Sequence, residues 1–122
     1  MKKPEPRARA LEALYQADMR EVDDPARGLS GRARRYVEGV SSRRETLDSR
    51  IEAASERWPL HRMAAVDRTI LRLALYELLY EARPTAVVID EAVKLAKQYS
   101  TRGSGAFVNG VLAALARQVR PG

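Results

Sequence analysis

The sequence predicts an all-α fold in a single domain, and three observations carry that prediction. Apolar residues recur three and four positions apart along almost all of the 122 residues, the spacing of one helix face. No stretch alternates apolar and polar with the period of a strand. Proline and glycine clusters divide the periodic stretches into about six or seven segments of helix length, the pattern of a helical bundle. A chain of this length reads as one domain, residues 1–122, able to bury a core without disulfides or metal, since folding hides roughly two-thirds of its unfolded surface.

The first helix starts near Pro6, because proline's missing N–H is not needed in a first turn. Leu11, Leu14, Tyr15, Met19 and Val22 form its apolar stripe, and Asp23-Asp24-Pro25 with Gly28 end it. A long helix follows from about Gly31 to Trp58, with Ala33, Tyr36, Val37, Val40, Leu47, Ile51, Ala54 and Trp58 facing inward. Arg44 falls where that stripe calls for an apolar residue, which predicts a kink or break near Ser41-Ser42. Pro59 stops the helix, because it disfavours helical geometry in the residue before it. A short turn from Leu60 to Met63 leads into a helix over Ala65–Glu81. Its apolar residues Val66, Ile70, Leu71, Leu73, Ala74, Leu75, Leu78 and Leu79 cover most sides, which predicts a central position. Beyond Pro84, a helix over Ala86–Tyr99 buries Ile89, Ala92, Val93, Ala96 and Tyr99. The loop Ser100–Gly105 precedes a last helix, about Ala106 to Val119, resting on Val108, Val111, Leu112, Leu115 and Val119.

Composition narrows the function classes. Hydrophobic residues make up 45% and charged residues 31%, which excludes a disordered chain. There are no cysteines, hence no disulfide framework and no thiolate metal site. The N-terminal MKKPEPRAR lacks the apolar stretch of a secretory signal. The most apolar segment, MAAVDRTILRLALYELLY, contains Asp67, Arg68, Arg72 and Glu77, which argues against a membrane span. A cytoplasmic location is therefore expected. The net charge of +6 favours anionic partners, most often nucleic acid. At this level a solvated surface with a basic excess explains the charge equally well.

An enzyme is not expected. His61 is the single histidine, and it follows a proline at a helix start, where a surface or capping role explains it. No nucleophile or carboxylate pairs with it in a recognisable pattern, and there is no HExxH, glycine-rich phosphate loop or calcium loop. Asp90-Glu91 near a helix start is explained by the helix dipole, and adjacent helical residues point about 100° apart, against a shared metal. Neither a metal nor a cofactor is expected.

Three segments carry a resemblance. They are LEALYQAD, Leu11–Asp18; WPLHRMAAVDRTILRLALYELLY, Trp58–Tyr80; and AVVIDEAVKLAKQYSTRGSGAFVNGVLAALAR, Ala86–Arg117. With VDRTILR, YELL, DEAVKLAK and FVNGVL in this order and spacing, the chain resembles the NusB family of bacterial transcription antitermination factors. The resemblance implies two helical bundles packed across one another. It further implies a partnership with NusE, a small-subunit ribosomal protein, in a clamp on single-stranded boxA-type RNA of ribosomal RNA leaders within the transcription complex.

By that resemblance the N-terminal arm, residues 1–6, and the first turn read RNA. Lys2, Lys3, Arg7 and Arg9 are the cations available, thinned by Pro4, Glu5 and Pro6 where more basic residues are expected. Fewer phosphate contacts mean weaker binding; a frayed, solvated tail is the alternative. Tyr15 is expected near both RNA and NusE, although a ring on the edge of the core explains it too. Asp67 is expected to contact NusE, although a carboxylate at a helix start is favoured without any partner. Phe107 and Asn109 are candidate RNA contacts, Phe107 by base stacking or else as a core plug. The cluster Arg32, Arg34 and Arg35 reads as a solvated face. Two other classes compete with the antitermination reading. One is the NusB-like domain of a ribosomal RNA cytosine methyltransferase, against which the absence of a cofactor-binding domain after Gly122 is set. The other is an interaction module with weakened RNA binding. A homodimer burying the same surface stays open.

Overall fold

The computed structural model describes residues 5–55 and 58–121. Six α-helices and one 3-10 turn, with no strand, make up the architecture of these residues.

Helix α1 spans Pro6–Met19, with proline in its first turn as expected. Its inner face is Arg7, Ala10, Leu11 and Leu14. Met19 and Val22, assigned to the stripe by periodicity, are exposed, Met19 by 58%. The face is rotated toward the helix start, because the position of Arg7 is buried too. The following loop crosses the surface, anchored by buried Ala26 and turned at Gly28, whose φ of 81° suits glycine.

The long second helix is broken, as the misplaced Arg44 predicted. Helix α2 covers Gly31–Ser42 and α3 covers Arg44–Ala54. At the junction Arg43 leaves helical geometry, with ψ at 16°. The break lets Tyr36, Val37 and Val40 of α2 and Leu47 and Ile51 of α3 all reach the core. Helix α3 ends earlier than expected: the Ser55 hydroxyl donates to the Ile51 carbonyl at 2.8 Å and to the Trp58 carbonyl at 3.1 Å, which tightens the exit. Trp58, expected inside, is 49% exposed.

After a 3-10 turn at Leu60–Arg62, helix α4 spans Ala65–Tyr80. It packs against each of the other α-helices described: α1, α2, α3, α5 over Thr85–Tyr99, and α6 over Ser104–Val119. Every residue from Thr69 to Leu78 is buried. Each fully buried leucine of this helix, such as Leu71 or Leu75, contributes about 2 kcal/mol. Helix α5 buries Val88, Ala92, Leu95 and Ala96, while Ile89 and Val93 are half-buried and Tyr99 is exposed. Lying between α4 and α6, it needs a face rotated from the expected one. Gly103, with φ at 92°, opens α6 two residues ahead of the expected start; Val108, Val111, Leu112 and Leu115 are buried as expected.

Candidate nucleic-acid interface

The surface expected to act divides between the start of α1 and the junction of α4, α5 and α6. Lys2 and Lys3, with most of the basic arm expected over residues 1–6, lie outside the described residues.

Arg7 lies inside the fold. Its side chain is buried against α4, where Nε donates to Glu77 Oε1 at 2.6 Å and Nη2 to Oε2 at 3.0 Å. Burial pulls the guanidinium pKa down, but the hydrogen bonds and charge of Glu77 outweigh it and leave the value raised. A fork held by both oxygens of a buried carboxylate is an internal tie between α1 and α4. Arg9, two residues on, is exposed and lines a shallow groove of about 500 Å³ with Glu12, Gln16, Asp23, Asp24 and Arg27.

Tyr15 is half-buried. It lines a smaller groove of about 320 Å³ together with Ala8, Leu11, Glu12, Val66 and Tyr99. Tyr15 from α1, the first turn of α4 and the end of α5 thus share one surface. Beside it, Asp67 is buried and engaged within the chain. Ser100 Oγ donates to Asp67 Oδ1 at 2.5 Å and Ser104 Oγ to Oδ2 at 3.0 Å. The two hydroxyls are 3.0 Å apart and Thr101 Oγ1 lies 3.1 Å from Ser104 Oγ, so one carboxylate gathers the α5–α6 loop. Asp67 also sits in the first turn of α4, where the helix dipole favours its charge.

Phe107 is half-buried and packs on the core, while Asn109 is exposed. Two helical positions apart, they point about 200° from each other, so they do not share one contact. Close packing here comes from Gly105 instead: a Cβ there would stand 3.3 Å from Lys97 carbons.

Several residues that shape these surfaces were missed by sequence reasoning. Asp18, at the end of α1, receives Arg68 Nε at 2.7 Å, Arg72 Nη1 at 3.1 Å and Arg44 Nη2 at 2.9 Å. Arg72 also grips Asp48 with Nε at 2.7 Å and Nη2 at 3.2 Å. Burial pushes the Asp18 pKa up, yet the arginines outweigh it and hold it below the ordinary carboxylate value. Arg120 donates to the Leu78 carbonyl at 2.9 Å and the Glu81 carbonyl at 2.8 Å, and to the Arg83 carbonyl, closing the open C-terminus of α4. The signal for the first network was present: Arg72 sits among the apolar residues Ile70, Leu71, Leu73 and Ala74, and a buried charge needs a partner.

The cluster Arg32, Arg34 and Arg35 is more structured than a solvated face. Arg32 Nε donates to Tyr36 Oη at 2.9 Å, Arg34 pairs with Glu38 at 2.9 Å, and Arg35 pairs with Glu81 at 3.1 Å. His61 is exposed, and Asp90 and Glu91 pair with Lys94 on their own helix. Among the described residues no cluster of three or more His, Asp or Glu side chains could hold a metal, and no helix is long and apolar enough to cross a membrane.

Comparison with known proteins gives a consistent answer. The family model described as the NusB family matches residues 4–117. The chain is 43% identical over 134 residues to the transcription antitermination protein NusB of Anaeromyxobacter sp. (strain Fw109-5), covering 99% of this chain and 94% of that protein. It resembles the solved structure of T. maritima NusB with a TM-score of 0.87 and 38% identity, over 97% of this chain and 94% of that one. It also resembles a chain in the crystal structure of antitermination factors NusB and NusE in complex with dsRNA. There the TM-score is 0.80 and the identity 27%, over 93% of this chain and 94% of that one.

Proposed function

The chain belongs to the NusB family, and on that premise we propose that it is a transcription antitermination factor. It binds boxA-type RNA of ribosomal RNA leader transcripts together with NusE and supports their transcription. The observation that carries the reading is the likeness, over 93% of the chain, to a chain in the structure of antitermination factors NusB and NusE in complex with dsRNA. The reading assigns no catalytic step and a cytoplasmic site of action, beside the transcription complex.

On the surface, Arg9 supplies a phosphate contact, with Lys2 and Lys3 ahead of it. Tyr15 works at the edge shared by RNA and protein, since its apolar body is held in the groove with Val66 and Tyr99. Asp67 serves the protein partner by holding the Ser100–Ser104 loop in one shape, supported by its two serine hydrogen bonds. Phe107 and Asn109 lie beyond that loop, with Asn109 the one free to reach RNA, being exposed. The burial of Arg7 leaves the arm still poorer in cations and makes cooperation with the ribosomal protein more important. The test is a salt titration of RNA binding with and without NusE. NusE is expected to strengthen binding at every salt concentration; identical affinities would sink the clamp.

A further inference from the structure

We propose that the arginine–tyrosine face formed by α2 and the end of α4 is a second RNA contact, a phosphate track with a base-stacking position on Tyr80. The proposal rests on the RNA-binding reading above and extends it to a surface which that reading does not use.

Helix α2 and its end bring together Arg32, Arg34, Arg35 and Arg43. The carboxylates paired with them are Glu38 and Glu81, so four cations meet two anions and a net charge of +2 remains. Arg34, Arg35, Glu38, Ser42, Arg43 and Tyr76 line an open groove of about 800 Å³. Arg32 and Arg43 have no carboxylate partner among the described residues. Each is held by a tyrosine instead: the Arg32 guanidinium carbon lies 5.2 Å from the Tyr36 ring centre, and that of Arg43 lies 4.3 Å from Tyr80. Arg32 Nη2 is also the one buried side-chain donor without an acceptor among the described residues. Two uncompensated cations are what an incoming phosphate oxygen satisfies.

RNA fits this face better than an acidic protein does. The Arg34–Glu38 pair is exposed on both sides and Arg35 is half out in solvent, so both pairs open readily to a phosphate. Tyr80, 44% exposed with an arginine on its ring, is the kind of platform on which an unpaired base stacks. Besides two glycines and Tyr76, the groove is lined by charged or polar residues, Arg34, Arg35, Glu38, Ser41, Ser42 and Arg43. Behind the face, Arg83 Nε donates to Tyr36 Oη at 3.1 Å and lies 4.0 Å from Glu77, the partner of Arg7, which ties α2 to the start of α1.

The experiment is a salt titration of a boxA-containing RNA extended by a single-stranded flank, bound by the protein with NusE. Wild type is compared with Arg35→Gln/Arg43→Gln and with Arg9→Gln, folding being checked by thermal melting. Two phosphate contacts on a single strand contribute ~1.4 to the slope of log K against log salt, so between about 50 and 200 mM the wild type loses roughly sevenfold more affinity than the double variant. Arg35→Lys/Arg43→Lys keeps the charge and retains the slope. Tyr80→Leu weakens binding of the normal strand more than that of an abasic strand of equal length. A wild-type slope in the double-Gln variant, with a reduced slope in Arg9→Gln, overturns the second face and leaves the RNA reading standing. No RNA binding by the wild type overturns both. Poly-glutamate competing as well as RNA of equal charge overturns the assignment to RNA.

Discussion

Replacing Glu77 by Gln removes the counter-charge of a guanidinium that cannot release its proton. The hydrogen bonds and charge of Glu77 raise the Arg7 pKa, so its charge persists at any pH at which the protein is studied. The Glu77 side chain is 1% exposed and that of Arg7 is 6%, so neither recovers solvation when the other is removed. Breaking such a pair from one side costs about 3–5 kcal/mol. For a chain of this size each kcal/mol is worth roughly 3–6 °C, so the melting temperature should fall by about 10–30 °C. The double replacement Arg7→Leu/Glu77→Leu is the informative partner. It removes both charges, and apolar substitution of a buried pair is neutral or stabilising by about 1–4 kcal/mol. Thermal melting of the three proteins gives the stability ranking, and RNA titration of the double variant isolates the role of Arg7. If Arg7 is an internal tie, the double variant melts near or above wild type and binds RNA with an unchanged salt slope. A folded double variant with a slope reduced by about 0.7 would refute this reasoning and show that Arg7 reaches a phosphate.

Other expectations follow from the same contacts. Asp18→Asn should cost about 3 kcal/mol at neutral pH, since three arginines lose their shared carboxylate. The Asp18 pKa is depressed when folded, so its contribution is present above the unfolded value of 3.8 and is lost as pH falls through the folded value. Denaturant unfolding should therefore show wild type and variant converging below about pH 3.8; a constant gap would exclude the ion-pair origin. Gly39→Ala places a Cβ within 2.4 Å of the Tyr76 ring and should cost about 1–3 kcal/mol by overpacking. Adding Tyr76→Leu should recover part of that loss, and strict additivity in a double-mutant cycle would refute the clash. Asp67→Ala should speed hydrogen exchange in the Ser100–Ser104 loop and weaken NusE binding, whereas Asp67→Asn, which still accepts hydrogen bonds, should be milder.

Helix positions were legible in the sequence because proline, glycine and apolar spacing act locally. Pro6, Pro59 and Pro84 bound or precede helices as expected, and the mismatch at Arg44 revealed the break at Arg43. Helix orientation was less legible. A count of apolar residues put Met19, Trp58 and Tyr99 inside, and all three are exposed. The positions that displaced them include charged ones, Arg7 above all, whose burial depends on a carboxylate seventy residues away. The same long-range pairing explains the site residues. Asp67 could be recognised as a helix-start carboxylate, but its serine partners belong to a loop that periodicity leaves blank. Segments shared with the family, LEALYQAD and VDRTILR, prove to contain the ion-pair hub Asp18, Arg68 and Arg72, so part of the resemblance reflects folding rather than binding.

Arg120 gives the fold a timetable. The carbonyls that it closes lie 37 to 43 residues earlier in the chain, at the end of the helix on which the others pack. Ribosomes add about 5–20 residues per second, so α4 waits some 2–8 s between its own synthesis and the arrival of that arginine. During this interval a largely apolar helix lacks first α5 and then α6 against it. Nascent chains of this protein should thus depend on chaperone cover until the last helix is made, and pulse proteolysis of stalled chains should show protection appearing in one late step.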